Sequence, residues 1–308
     1  MSQYLYYISL ISQKMKQHYL CKVIERYMEL PKKSTIQLFH NDKPSWEDSP
    51  IEPIGSGVLF ELNEEYYIIT AAHVVQGYAT KKPINPYKDE DDYDDPSQAY
   101  LSLENIGFLY NEAYYPIQRA VFTNTENGVV EKNVDIAVLF LDLTSAKELI
   151  QDYTFVSISN ILLNHPVKND TRYFIYGYPA EWTDIDLINR KINISPFKYI
   201  TKGVLFQDAQ NVRYDERYNI LLFYDKSKMV DKDRQPIESF TPNGISGCGL
   251  WYYSGGIGLK LIGIMIEDKW VQEHQTLMMA TKIDVAISII QEIQNKEDQS
   301  SITKPAQK

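Results

Sequence analysis

Three separated segments carry residue types that do chemistry together. Ile69-Thr70-Ala71-Ala72-His73-Val74-Val75 ends an apolar run in two small residues and a histidine. Asn133-Val134-Asp135-Ile136-Ala137-Val138-Leu139 opens an apolar run on a lone carboxylate. Asn243-Gly244-Ile245-Ser246-Gly247-Cys248-Gly249-Leu250 sets a serine among glycines just ahead of another such run. A serine hydroxyl is a poor nucleophile until a base removes its proton. Imidazole does this near neutral pH and returns the proton to the leaving group. A buried carboxylate orients the ring and stabilises its charged form. Glycine two residues ahead of the serine lets the backbone turn so that both N–H groups meet a developing oxyanion. Each segment alone is ambiguous. A histidine beside an apolar strand is usually structural, a carboxylate at a strand start is usually a turn residue, and Gly-x-Ser-Gly is common in turns.

Such groups need a rigid scaffold, and the patterning of the chain supplies strands. Thr35–His40 reads as one, and Gly57–Leu62 with Tyr66–Thr70 as a hairpin turned by Asn63-Glu64-Glu65. Tyr100–Tyr110, Tyr114–Thr123 and Asp135–Leu143 continue the series, and Ser145–Asp152 reads as a connecting helix. Then follow Phe155–Ser159, Arg172–Tyr178, Tyr199–Gln207, Tyr218–Tyr224, Cys248–Tyr253, Lys260–Glu267 and Thr276–Thr281. Asp284–Gln294 is amphipathic, with Ile287, Ile290 and Ile293 on one side, and residues 296–308 read as a disordered tail. At the other end, residues 10–29 pattern as an amphipathic helix that packs on the body of the protein or on a regulatory partner. This is an all-β chain with few interior helices, a barrel or a sandwich. Lys81–Pro96 and Glu181–Pro196 are long connections, the places where binding usually sits on a β scaffold.

The order His, Asp, Ser differs from the orders of the α/β-hydrolases and the subtilisins. With the segments quoted above it resembles the trypsin-like (chymotrypsin-fold) serine peptidases, nearest the HtrA-like, intracellular bacterial branch. Gly55-Ser56-Gly57-Val58-Leu59 is similar to the strand that precedes the histidine segment there. Phe174-Ile175-Tyr176-Gly177-Tyr178-Pro179 and Leu261-Ile262-Gly263-Ile264 resemble strands of that family's second barrel. The likeness runs over residues 33–285. It implies two antiparallel six-stranded β-barrels, with an N-terminal and a C-terminal helix added. The divisions it implies are 1–32, 33–150, 151–283 and 284–308. It implies a triad of His73, Asp135 and Ser246, an oxyanion hole of the Gly244 and Ser246 amides, and hydrolysis of protein substrates through an acyl-enzyme. Phe240 and Thr241 would lie at the base of the specificity pocket, with Ile266, Glu267 and Asp268 along a wall. Phe240 implies an apolar preference, while Asp268 would attract a basic residue.

The departures sharpen the expectation. Ile245 stands where secreted trypsins carry the aspartate that pairs with a freed N-terminus, so that activation route is closed. Cys248 replaces a glycine and reads either as a space-filling buried residue or as a second nucleophile. A C-terminal peptide-binding module of the PDZ kind is not expected after residue 285. A catalytically silent trypsin-like fold that binds proteins is the competing reading. An esterase is disfavoured, because a nucleophile elbow needs Gly-x-Ser-x-Gly before a helix.

Composition bounds the partners. The net charge of −10 offers no electrostatic footprint for nucleic acid. The 24 tyrosines favour strands or reflect a compositional bias. Two cysteines, Cys21 and Cys248, fit a reducing compartment or a bacterial protein. No apolar run is long enough to span a membrane, and Tyr4–Ile11 lacks the flanks of a signal peptide, so a cytoplasmic protein is expected. His18, His40, His165 and His274 show no metal-ligand spacing, and the acidic run Asp89–Asp95 lacks the EF-hand pattern. No cofactor or metal is expected, and that acidic run reads as a solvated loop.

Overall fold

The computed structural model describes residues 27–41, 51–76, 80–83, 99–103, 105–123, 134–168, 171–186, 191–205, 214–225, 244–253, 258–272 and 275–302, with Glu25 and Tyr78. Most of the expected helix over residues 10–29, most of the acidic segment Lys81–Pro96, and His18, Cys21, His274 and residues 303–308 lie outside them. A short helix α1 (Glu29–Ser34) leads into β1 (Thr35–His40). β2 (Glu52–Leu62) and β3 (Glu65–Thr70) form a hairpin with β1 on the far side of β2. The turn is Asn63-Glu64, with φ of 55° and 63°. Two consecutive left-handed residues give the twist that lets paired strands continue without splaying. A second Asn-Glu pair, Asn111 and Glu112 at φ 48° and 63°, turns β6 (Ile106–Tyr110) into β7 (Ala113–Pro116).

β4 (Thr80–Pro83) and β5 (Ala99–Ser102) pair separately, and β8 (Arg119–Phe122) and β9 (Ala137–Phe140) complete the first half. Its main sheet has seven antiparallel strands in the order β7-β6-β1-β2-β3-β9-β8. This differs from the expected closed six. The run Tyr114–Thr123 is split, because Pro116 ends β7 and Ile117 turns its N–H to the Ile106 carbonyl at 2.7 Å. Proline has no N–H to continue a ladder, so one patterned run becomes two strands.

Helix α3 (Leu143–Leu149) starts on Asp142, whose carboxylate accepts from the Thr144 and Ser145 amides at 2.8 and 2.9 Å. The expected strand Phe155–Ser159 is instead a connector. Val156 makes a single parallel bridge to Phe60, and Ile158–Asn160 winds into a 3₁₀ turn. The second half is a closed barrel in the order β10-β13-β14-β17-β16-β15. Its strands are β10 (Arg172–Gly177), β13 (Phe197–Val204), β14 (Asn219–Asp225), β15 (Gly249–Tyr253), β16 (Leu259–Gln272) and β17 (Gln275–Lys282). The connection Glu181–Pro196 holds its own hairpin, β11 (Thr183–Asp186) with β12 (Lys191–Ile194). A closed barrel and a curled half-barrel, all antiparallel, are compatible with a chymotrypsin-like fold.

Helix α4 (Ile283–Ile302) runs past the expected end near residue 294, into the stretch read as tail. Ile283, Ile287 and Ile290 join a buried cluster with Phe60, Tyr67 and Val138 of the first half and Phe174, Trp251 and Leu261 of the second. Gln294 then docks on the β2–β3 hairpin. It donates to the Glu65 carboxylate at 2.7 Å and accepts from Asn63 at 3.0 Å. The helix therefore bridges both halves. None of the helices among the described residues is long and apolar enough to cross a membrane.

His165 is buried beside the second barrel, with Nε2 3.1 Å from the Tyr173 hydroxyl and its ring 4.3 Å from that of Tyr252. Burial, with Lys168 and Lys282 nearby, lowers its pKa to about 4. The unfolded chain binds this proton at the ordinary value of about 6.5, and the folded chain refuses it until about pH 4. Stability is therefore complete above about pH 6.5 and declines as the pH falls toward 4, by on the order of 3 kcal/mol. Urea midpoints measured between pH 7 and 4.5 should show this slope. His165→Gln should flatten it, and an identical slope in that variant would rule out His165 as its source.

Candidate active site

The histidine and the aspartate meet because of strand register. β3 and β9 are antiparallel neighbours with Thr70 opposite Ala137. Continuing that register past both strand ends puts Asp135 opposite Ala72, the residue next to His73. Ala71 and Ala72 are buried, and from them the chain winds into the single turn α2 (Ala72–Gln76). Larger side chains at these two positions would push that turn outward. Asp135 then holds His73 at two points. Its Oδ1 accepts from the His73 backbone N–H at 2.9 Å, and its Oδ2 accepts from the His73 Nδ1–H. An ionised carboxylate has no proton to give, so the Nδ1 proton belongs to the ring. In that tautomer Nε2 carries the lone pair, the form a general base needs. The His73 side chain is 50% exposed and that of Asp135 only 16%, so the imidazole faces solvent and its partner is shielded.

Thr123 holds the aspartate's segment from the far side. Its Oγ1 donates to the Val134 carbonyl at 2.7 Å and its N–H to the Ile136 carbonyl at 3.0 Å. The residues on both sides of Asp135 are thus pinned. Nothing in the local sequence marks Thr123. Only the pairing of β8 with β9 brings it there.

Ser246 sits on a tight turn ahead of β15. Gly244 and Gly247 both have φ of +87°, a region L-residues rarely adopt. The Cys248 N–H closes the turn on the Ile245 carbonyl at 3.0 Å, and the Gly247 N–H donates to Met265 at 2.7 Å. Ile245 is buried in the barrel interior with Ile175, Phe197 and Leu250. It acts as an apolar plug at the position where the trypsin resemblance called for an aspartate. Cys248 is fully buried and its thiol is pushed far above the ordinary range by that burial. It is a space-filling side chain, because the thiolate is the nucleophilic form and is suppressed here. Gly177 makes room for it: a Cβ there would lie 2.7 Å from the Cys248 Cβ.

The turn of His73 and the turn of Ser246 meet at Gly55. A Cβ on Gly55 would lie 2.7 Å from Val74 Cγ1 and 3.1 Å from the Ser246 carbonyl oxygen. Val74 follows His73 directly, so the missing side chain is what lets the two turns close up. Gly247 faces the same place, and a Cβ there would overlap the Ser56 carbonyl oxygen and Thr70 Oγ1. Among the described residues, neither the Gly244 nor the Ser246 N–H has a backbone acceptor. Both remain available to an incoming oxygen.

The expected specificity pocket fares differently. Phe240 and Thr241 lie outside the described residues. Ile266 is buried in the same apolar cluster as Leu221, Leu277 and Met279. It is the extra residue of a β-bulge, since Met265 pairs with Ala280 and Glu267 with Met279. The bulge lets Met265 and Ile266 both face apolar clusters, against strand alternation. Asp268 lies on β16 opposite Met278. Among the described residues no three His, Cys, Asp or Glu side chains gather in a way that could hold a metal ion.

The assembled elements are a base whose Nδ1 side is held, a carboxylate that orients it, a serine on a constrained turn and two amides without a backbone acceptor among the described residues. Together they can do nucleophilic acyl transfer. Compared with known protein families and curated proteins, the chain matches no family model and no curated sequence.

Proposed function

We propose that this protein is a trypsin-like serine endopeptidase that cleaves protein or peptide substrates through His73, Asp135 and Ser246. The observation that carries the reading is the two-point grip of Asp135 on the backbone and ring of His73. A structural histidine needs only one such bond, whereas a base must be fixed in both tautomer and direction. In the mechanism, Ser246 Oγ attacks the scissile carbonyl as His73 Nε2 takes its proton. Asp135 stabilises the imidazolium, and the Gly244 and Ser246 amides receive the oxyanion. His73 then returns the proton to the leaving amine. The acyl-enzyme is hydrolysed when water, deprotonated by His73, attacks in the reverse sense.

Within the class we place the protein with the intracellular, HtrA-like bacterial enzymes. The buried Ile245 supports this, because that position cannot pair with a freed N-terminal ammonium. The test is labelling with a fluorophosphonate, which reacts only with an activated serine. The wild type should label, and Ser246→Ala should abolish labelling. Label retained in the variant would remove Ser246 from the site. An unlabelled wild type that is otherwise folded would favour a silent binding module.

A further inference from the structure

One buried residue of the first half holds the Ser246 turn from behind. Ser56 lies on β2 and is fully buried. Its N–H donates to the Ser246 carbonyl at 2.9 Å. Its hydroxyl donates to the Gly244 carbonyl at 3.4 Å, the longest of the set, and accepts from the Tyr178 N–H at 2.9 Å. Its own carbonyl accepts from Thr70 Oγ1 at 2.7 Å. Every polar group of Ser56 is therefore engaged, and three of its four bonds reach the second half of the molecule.

The geometry has a specific consequence for the open amides. The Ser246 N–H belongs to the peptide group between Ile245 and Ser246. The peptide groups on either side of it expose the Gly244 and Ser246 carbonyls, and Ser56 binds both. A peptide plane turns only if the dihedrals around it turn, so anchoring both neighbours fixes the one between. Gly244 and Gly247 make such anchoring necessary, because glycine leaves the backbone more conformations than any other residue.

We propose that the Ser56 hydroxyl is a positioning residue, which keeps the Ser246 amide aimed at the oxyanion. The inference rests on the serine peptidase reading. Ser56 touches no reacting atom, and its effect passes through the Gly244–Ile245 peptide. Ser56→Ala removes the hydroxyl but keeps the backbone bond to Ser246, so the strand and half of the anchor survive. Small misplacements of catalytic groups cost up to about 100-fold in rate. Ser56→Ala should lower kcat on a peptide ester about 10- to 100-fold, with KM changed less than about twofold, since the amides act on the transition state more than on the bound substrate.

Two further measurements separate positioning from loss of fold. Ser56→Thr restores a hydroxyl on a strand that suits a β-branched residue, and should recover most of kcat. Amide hydrogen exchange at Gly247 and Cys248, whose N–H groups are bonded, should quicken in Ser56→Ala and stay slow in Ser56→Thr, while exchange in β14 and β17 is unchanged. Unaltered kcat, or unaltered exchange at Gly247 and Cys248, would overturn the proposal. Loss of protection throughout the second barrel would overturn it too, as a general folding role. A wild type without esterase activity would sink the peptidase reading and the catalytic part of this one. The exchange measurement would still decide whether Ser56 anchors the turn.

Discussion

Asp135→Asn is expected to lower kcat by about 10⁴-fold with the fold intact, a magnitude taken from the trypsin-like class and not from this geometry. The reason lies in the two bonds that Asp135 makes. Both of its oxygens accept, one from the His73 backbone N–H and one from Nδ1–H. An asparagine has a single carbonyl oxygen and two amide protons. If its oxygen faces the backbone N–H, its NH₂ faces Nδ1 and selects the tautomer protonated on Nε2. That tautomer cannot take the Ser246 proton. The carboxylate charge that favours the imidazolium is also gone. Steady-state kinetics and a thermal melt together check this. A variant that melts like the wild type but keeps more than a tenth of its kcat would show that Asp135 does not orient the base.

Gly247→Ala carries the largest expected loss of stability. Two separate penalties fall on it. The φ of +87° is strained for any residue with a Cβ, and the Cβ itself would overlap the Ser56 carbonyl and Thr70 Oγ1. Backbone strain and overpacking each cost on the order of 1–3 kcal/mol, so about 3–5 kcal/mol is expected in all. Gly258→Ala supplies the comparison. Gly258 has nearly the same φ, +90°, but no atom lies within 4 Å of the place its Cβ would take. It should cost only the backbone strain, about 1–2 kcal/mol. Urea denaturation of both variants gives the difference. Equal losses would show that the Gly247 turn is not pressed against β2 as described. The two halves of the molecule would then be less tightly joined at Ser56 than the hydrogen bonds imply.

Local patterning exposed much of this architecture. The β1 strand, the Asn63-Glu64 hairpin and the strands of the second barrel fall within a few residues of where alternation places them. These signals are local, since a β-branched or aromatic run and a turn pair act over neighbouring residues. The elements that depart from this patterning depend on partners distant in sequence. Phe155–Ser159 looks like a strand but has one bridge partner, Phe60. The C-terminal helix outruns its apolar stripe, and Gln294 near the end of that stripe docks on a hairpin more than two hundred residues earlier. The bulge at Ile266 cannot be read from composition, because it reconciles two apolar clusters that only the folded barrel brings together.

The same division runs through the site. By itself the sequence determined which groups are present and in what order: a histidine after two alanines, an aspartate before an apolar strand, and a serine between two glycines. It also determined that Ile245 cannot serve as a charged partner. Only the tertiary structure decided that Asp135 grips His73 twice, because the β3–β9 register sets that contact across 62 positions. Only the tertiary structure decided that Ser56 and Thr123 support the turns, or that Cys248 is a buried filler. Residue types and glycine conformations are properties of short segments. Hydrogen-bond partners and burial are properties of the surface each segment meets after folding.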